Sequence, residues 1–147
     1  MKAFILILLL VLFSLACGQK TGPEEDTGAS PDQEYGYWEI DDYSEFDVRT
    51  DPWPPVSDTP VKLIAEVKYL YGEGDEYYDG TVAYNVASQE KEDLSWSSMN
   101  EVKREDGVVT FEATVTFPKG EKYIQFLLDI PGYDEPQRFT GWKVKIK

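Results

Sequence analysis

Between Val109 and Phe117 the chain alternates without a break. Val109, Phe111, Ala113, Val115 and Phe117 face one way, and Thr110, Glu112, Thr114 and Thr116 the other. A period of two is satisfied by a strand with one buried face, because successive side chains of a strand point to opposite sides. The same rhythm recurs along the chain. Val61, Leu63, Ala65, Val67, Tyr69 and Tyr71 alternate with Lys62, Ile64, Glu66, Lys68 and Leu70, and Ile124, Phe126, Leu128 and Ile130 with Tyr123, Gln125, Leu127 and Asp129. Trp142, Val144 and Ile146 alternate with Lys143 and Lys145, while Val82, Tyr84 and Val86 and the weaker run Trp96 to Val102 give two shorter strands. Turn signals separate these runs: the glycine- and acid-rich Gly72 to Gly80, Asp106-Gly107, Pro118-Lys119-Gly120, and Pro131 to Pro136. No stretch beyond the first apolar run carries a helical period. Six or seven short strands with such turns predict an all-β fold, an immunoglobulin-like antiparallel β-sandwich over residues 56–147.

A chain of 147 residues has room for one ordinary domain. Its single cysteine, Cys17, excludes an internal disulfide, so burial alone must hold the fold. The rings of Phe111, Phe117, Phe126 and Trp142 are the expected main contributors, at roughly 1.5–3 kcal/mol for each large apolar side chain buried. Histidine is absent. That removes the commonest general base, the usual serine and cysteine hydrolase relays and the favoured ligand of zinc and copper. Acidic residues outnumber basic ones 28 to 14, for a net charge of −14, and most of the excess lies between Gly18 and Pro60. Nucleic acid and anionic headgroups are repelled by such a chain, whereas cations and basic protein surfaces are attracted.

The first residues carry an address. Met1-Lys2 gives a positive start, Ala3 to Phe13 is apolar, and Ser14-Leu15-Ala16-Cys17 sets a small residue directly before the cysteine. The arrangement resembles the bacterial lipobox, with Ser14 where leucine is usual. The apolar run is shorter than the ~20 residues of a membrane-spanning helix. The resemblance implies a signal peptide over 1–16, removed on export, and a mature protein that begins at Cys17 and enters the membrane through lipid on its thiol. Multiple acyl chains anchor stably where one does not. Gly18 is not the aspartate that resembles an inner-membrane retention signal, so the expected site is the outer membrane of a two-membrane organism or the surface of a single-membrane one.

Gly18 to Ser30 has no large apolar residue and cannot offset the entropy of ordering. From Tyr35 to Val48, aromatic residues are interleaved with Glu39, Asp41, Asp42, Glu45 and Asp47. Two readings suit this segment: rings docked on the neighbouring domain or a free stretch, and a short recognition motif for a basic partner. The cluster Asp51-Pro52-Trp53-Pro54-Pro55 stiffens the chain. Residues 17–55 are therefore read as a lipid anchor and disordered acidic linker, with the sandwich beginning at 56.

Pro54-Pro55-Val56-Ser57-Asp58, Ser98-Met99, Asp106-Gly107-Val108, Phe111 to Phe117 and Gly120-Glu121-Lys122-Tyr123-Ile124 together resemble the small immunoglobulin-like domains of bacterial envelope proteins, including the YtkA-like and FixH-like groups. The resemblance covers about sixty percent of the chain and implies a sandwich that works in the envelope. Metal-linked members of those groups carry methionine and histidine clusters; of these the chain keeps Met99.

The expected role is a non-catalytic protein-interaction or accessory module, since an unpaired sheet edge can accept an extended segment of a partner. The alternative is a glycan- or calcium-binding module. Calcium takes several oxygen ligands, often from loops, and the candidates are Asp75, Asp79 and Asp134. The spacing from Gly74 to Gly80 lacks the alternation of an EF-hand loop and its closing glutamate. Candidate sugar-stacking rings are Tyr77, Tyr78, Trp96 and Tyr133, placed in predicted loops or at a strand start. No nucleophile elbow, phosphate loop or zinc spacing is present, and neither an enzyme nor a cofactor is expected.

Overall fold

The computed structural model describes residues 34–42, 44–69, 78–90 and 95–147. Among them are nine strands and no helix: β1 (Tyr35–Asp41), β2 (Ser44–Asp51), β3 (Pro60–Tyr69), β4 (Thr81–Ala87), β5 (Ser97–Ser98), β6 (Asn100–Glu105), β7 (Val108–Thr116), β8 (Gly120–Asp129) and β9 (Gln137–Ile146). Cys17 and the expected signal peptide over 1–16 lie outside the described residues. Two antiparallel sheets pack face to face, one in the order β1-β2-β3-β7-β6 and one in the order β5-β4-β8-β9. With β1 and β5 set aside, β2-β3-β7-β6 facing β4-β8-β9 is the immunoglobulin-like layout of seven strands.

The alternating runs fall as their period requires. Val61, Leu63, Ala65 and Val67 of β3, Val109, Phe111 and Val115 of β7, Ile124, Phe126 and Leu128 of β8, and Trp142, Val144 and Ile146 of β9 all point between the sheets. Asp106 and Gly107 both adopt positive φ, 52° and 75°, the mirror-image turn whose twist suits the β6–β7 hairpin. Met99 is buried in the core where the chain passes from one sheet to the other, and its N–H donates to Val82 O at 2.9 Å. The expected single strand from Trp96 to Val102 is therefore two, β5 and β6, in different sheets.

The largest correction concerns the segment ahead of the prolines. Tyr35 to Asp51, read as part of a disordered linker, forms two strands of the sandwich. β1 pairs with β2, and β2 pairs with β3 through eight register partners from Ser44↔Tyr69 to Asp51↔Lys62. Phe46 and Val48 are fully buried. Ring centroids of Phe46 lie 5.3 Å from Phe126 and 5.4 Å from Phe139, and those of Trp38 lie 5.5 Å from Phe46 and 5.9 Å from Phe139. The first pair of strands thus supplies rings to the aromatic cluster that joins the two sheets. The proline cluster is an internal crossing rather than a boundary. It is pinned by Ser57 N–H to Lys147 O at 2.7 Å, Lys147 N–H to Pro55 O at 3.0 Å and Asp58 N–H to Phe117 O at 3.2 Å.

Candidate functional site

β1 is the outermost strand of its sheet, and its two sides do different things. Gly36, Trp38 and Ile40 turn inward, while Tyr35, Tyr37 and Glu39 turn outward. An ideal Cβ on Gly36 would lie 2.8 Å from side-chain atoms of both Trp38 and Val48 and 3.0 Å from Trp142, so only glycine fits there without displacing a ring. The indole N–H of Trp38 donates to Thr140 O of β9 at 3.1 Å, which closes that flank of the sandwich. The carbonyl is free to accept because the β8–β9 register shifts between Ile124 and Phe126, setting Thr140 and Gly141 opposite the single residue Gln125.

The outward side of β1 and β2 is acidic and aromatic. Tyr35 is 63% exposed and Tyr37 44%. The Tyr37 hydroxyl donates to Glu45 Oε1 at 2.8 Å, and this bond to a carboxylate, with the negative charges around it, pushes the phenol up to about 12. Arg49 pairs with Glu66 of β3 at 3.0 Å, and Lys68 of β3 pairs with Asp47. Both pairs are diagonal cross-strand neighbours, the natural reach of long side chains on one sheet face. Glu39 has no cation within ion-pair distance among the described residues. The edge is blunted by a register shift between Glu39 and Asp41.

At the far edge of the same sheet, all six residues of β6 are exposed. Its charges are matched within the strand: Arg104 makes two 2.9 Å bonds to the carboxylate of Glu101, and Lys103 pairs with Glu105. These partners hold the carboxyls of Glu101 and Glu105 below their ordinary range and the Lys103 ammonium above it.

The residues singled out from sequence are dispersed. Tyr78 is a correction: at 1% exposure it is a core side chain, edge-on to Phe111 at 5.9 Å, and not a surface ring. Its hydroxyl lies 2.8 Å from both Thr81 O and Asp129 O, and burial pushes the phenol up strongly. Tyr133 is exposed in the β8–β9 loop next to Asp134. Trp96 is half-buried before β5, with the guanidinium of Arg138 over its ring at 5.2 Å. Asp79 reaches toward Arg104 at 3.8 Å. Tyr77 and Asp75 lie outside the described residues. No group of three acidic, cysteine or histidine side chains able to hold a metal occurs among the described residues.

The outward face of the four-stranded sheet holds something the sequence pattern did not disclose. Asn85 and Gln125, register partners on β4 and β8, occupy outward positions yet are buried. Asn85 is 3% exposed, and neither polar atom of its side chain has a hydrogen-bond partner among the described residues. A group so placed costs about 1–3 kcal/mol. Nearby, Lys122 donates to Ser88 Oγ at 3.3 Å and Thr140 donates to Glu90 at 3.4 Å, so the chain leaving β4 lies against β8 and β9. No sequence period reveals which outward positions another segment will cover. The bulge opposite Gln125 did leave a signal, since Gly141 interrupts an otherwise regular strand.

Searches against protein-family models, curated proteins and solved structures find no match to this chain.

Proposed function

We propose that the protein is a non-catalytic interaction module of a bacterial cell envelope, anchored through lipid on Cys17 and presenting its sandwich to another protein. The observation that carries this reading is the outward face of β1 and β2, where Tyr35 and Tyr37 stand exposed in an acidic field on an edge strand. Rings with two side-chain torsions lose little entropy on contact, and tyrosine is enriched among residues that dominate interfaces. Strand addition is disfavoured at both edges of this sheet, because β1 carries a register shift and β6 a shift with dense charge. Recognition through side chains on the sheet face fits the same surface better.

A photo-crosslinking residue placed at Tyr35 or Tyr37 in living cells, with Val102 of β6 as the comparison position, tests the reading. The expected result is a defined protein adduct at the tyrosine positions and none at Val102. Equal adducts at all three positions, or none, would count against it. The address is tested separately: mass spectrometry should find acyl chains on Cys17 and no residues before it, and Cys17→Ala should abolish the acylation and leave the leader uncut. The ligand-binding alternative predicts instead a rise in melting temperature with millimolar calcium or with a glycan.

A further inference from the structure

We propose that the outward face of β1 and β2 docks a lysine- and arginine-rich extended segment of a partner protein. The inference rests on the interaction reading above and gives that partner its chemistry. The outward positions of β1 and β2 hold the carboxylates of Glu39, Glu45, Asp47 and Asp51 against the single guanidinium of Arg49. That guanidinium, Arg49, is engaged by Glu66, and the neighbouring Lys68 by Asp47, so the cations nearest the face are already matched from within the sheet. Glu39 has no such match among the described residues, and Glu45 is held by the Tyr37 hydroxyl rather than by a cation. The face therefore attracts cationic segments and repels anionic ones.

Geometry narrows the occupant further. Tyr35 and Tyr37 are two residues apart on one strand face, so their side chains repeat at about 7 Å. An extended segment repeats its own side chains at the same interval, and basic groups at alternate positions can lie over successive rings as cation–π partners. Among the described residues no strand lies beyond β1, so the rings are approached from an open side. Glu39 follows Tyr37 at the next outward position and extends the same row with a carboxylate.

The test is fluorescence anisotropy of a labelled ten-residue peptide of alternating basic residues and glycine against the full mature chain in detergent. Tyr35→Ser with Tyr37→Ser should weaken binding roughly fivefold or more. Glu39→Gln with Glu45→Gln should weaken it comparably and flatten its salt dependence. Tyr35→Phe with Tyr37→Phe keeps the rings and should stay within about twofold of wild type. Glu101→Gln with Glu105→Gln removes as many charges at the opposite edge and should also stay within about twofold. If this last variant weakens binding as much as the tyrosine pair, the peptide senses bulk charge and the site assignment fails. Absence of peptide binding at low salt, alongside defined crosslinks at Tyr35 and Tyr37, overturns the basic partner and leaves the interaction reading standing. Loss of both signals removes both.

Discussion

The two edges of the five-stranded sheet, β1 and β6, occupy equivalent places and are built on opposite terms. β1 buries one side: Gly36 under Trp142, Trp38 against Phe46 and Phe139, Ile40 against the core. It leaves two tyrosines and an unmatched glutamate outside. β6 buries nothing and cancels its charges within the strand. An edge that is fully exposed and internally neutralised resists association, whereas an edge that is anchored from behind and leaves rings and negative charge outside invites it. The contrast sets a strand that helps to build the core, and on which we place the proposed recognition face, against one that is only protected.

The contrast breaks most visibly if the inner side of the first two strands is emptied. Phe46→Ala should destabilise the domain by about 3–5 kcal/mol in urea unfolding, since it removes a fully buried ring from the contact between the sheets. Val102→Ala in β6, at 52% exposure, should change stability by less than about 0.5 kcal/mol. Equal effects would mean that the first strands only lean on the core.

Gly36→Ala comes next. Its added methyl meets Trp38, Val48 and Trp142 at once, and the expected loss is about 1–3 kcal/mol by thermal or chemical melting. Trp38→Phe keeps a ring but deletes the donor to Thr140 O, for a loss of about 1 kcal/mol, with faster amide exchange along β9.

The smallest effect sharpens the outer side. The Tyr37 phenol is pushed up to about 12 because its hydroxyl donates a hydrogen bond to the Glu45 carboxylate. The folded value lies above the unfolded one near 10, so the contribution of this bond is present below pH 10 and lost as pH rises toward 12. Ultraviolet titration should show Tyr37 ionising late, and Glu45→Ala should return it toward the ordinary phenol range. An unchanged titration in the variant would mean that the bond is not formed in solution.

The later strands were legible because their alternation is clean and their turns are marked by Asp106-Gly107 and Pro118-Lys119-Gly120. β1 and β2 obey the same rule, with Gly36, Trp38 and Ile40 against Tyr35, Tyr37 and Glu39, and Phe46, Val48 and Thr50 against Glu45, Asp47 and Arg49. Their acidic outward residues and the following prolines made the segment read as linker, although charge on the solvent side of a strand leaves its apolar side free to pack. Tyr78 read as a loop ring for a related reason. Only the packed structure shows Phe111 beside it and two carbonyls waiting for its hydroxyl.

By itself the sequence determined that strands form and which side of most of them is apolar, because a strand's side chains alternate whatever lies beyond it. It also determined, through its single cysteine, that no internal disulfide holds the fold. The tertiary structure alone decided that an acidic, aromatic stretch becomes two core strands, that the chain changes sheets at Met99, and that Asn85 is covered on a face where polar residues ordinarily meet water. Each of those outcomes depends on what a distant segment does, and a local period carries no information about distant segments.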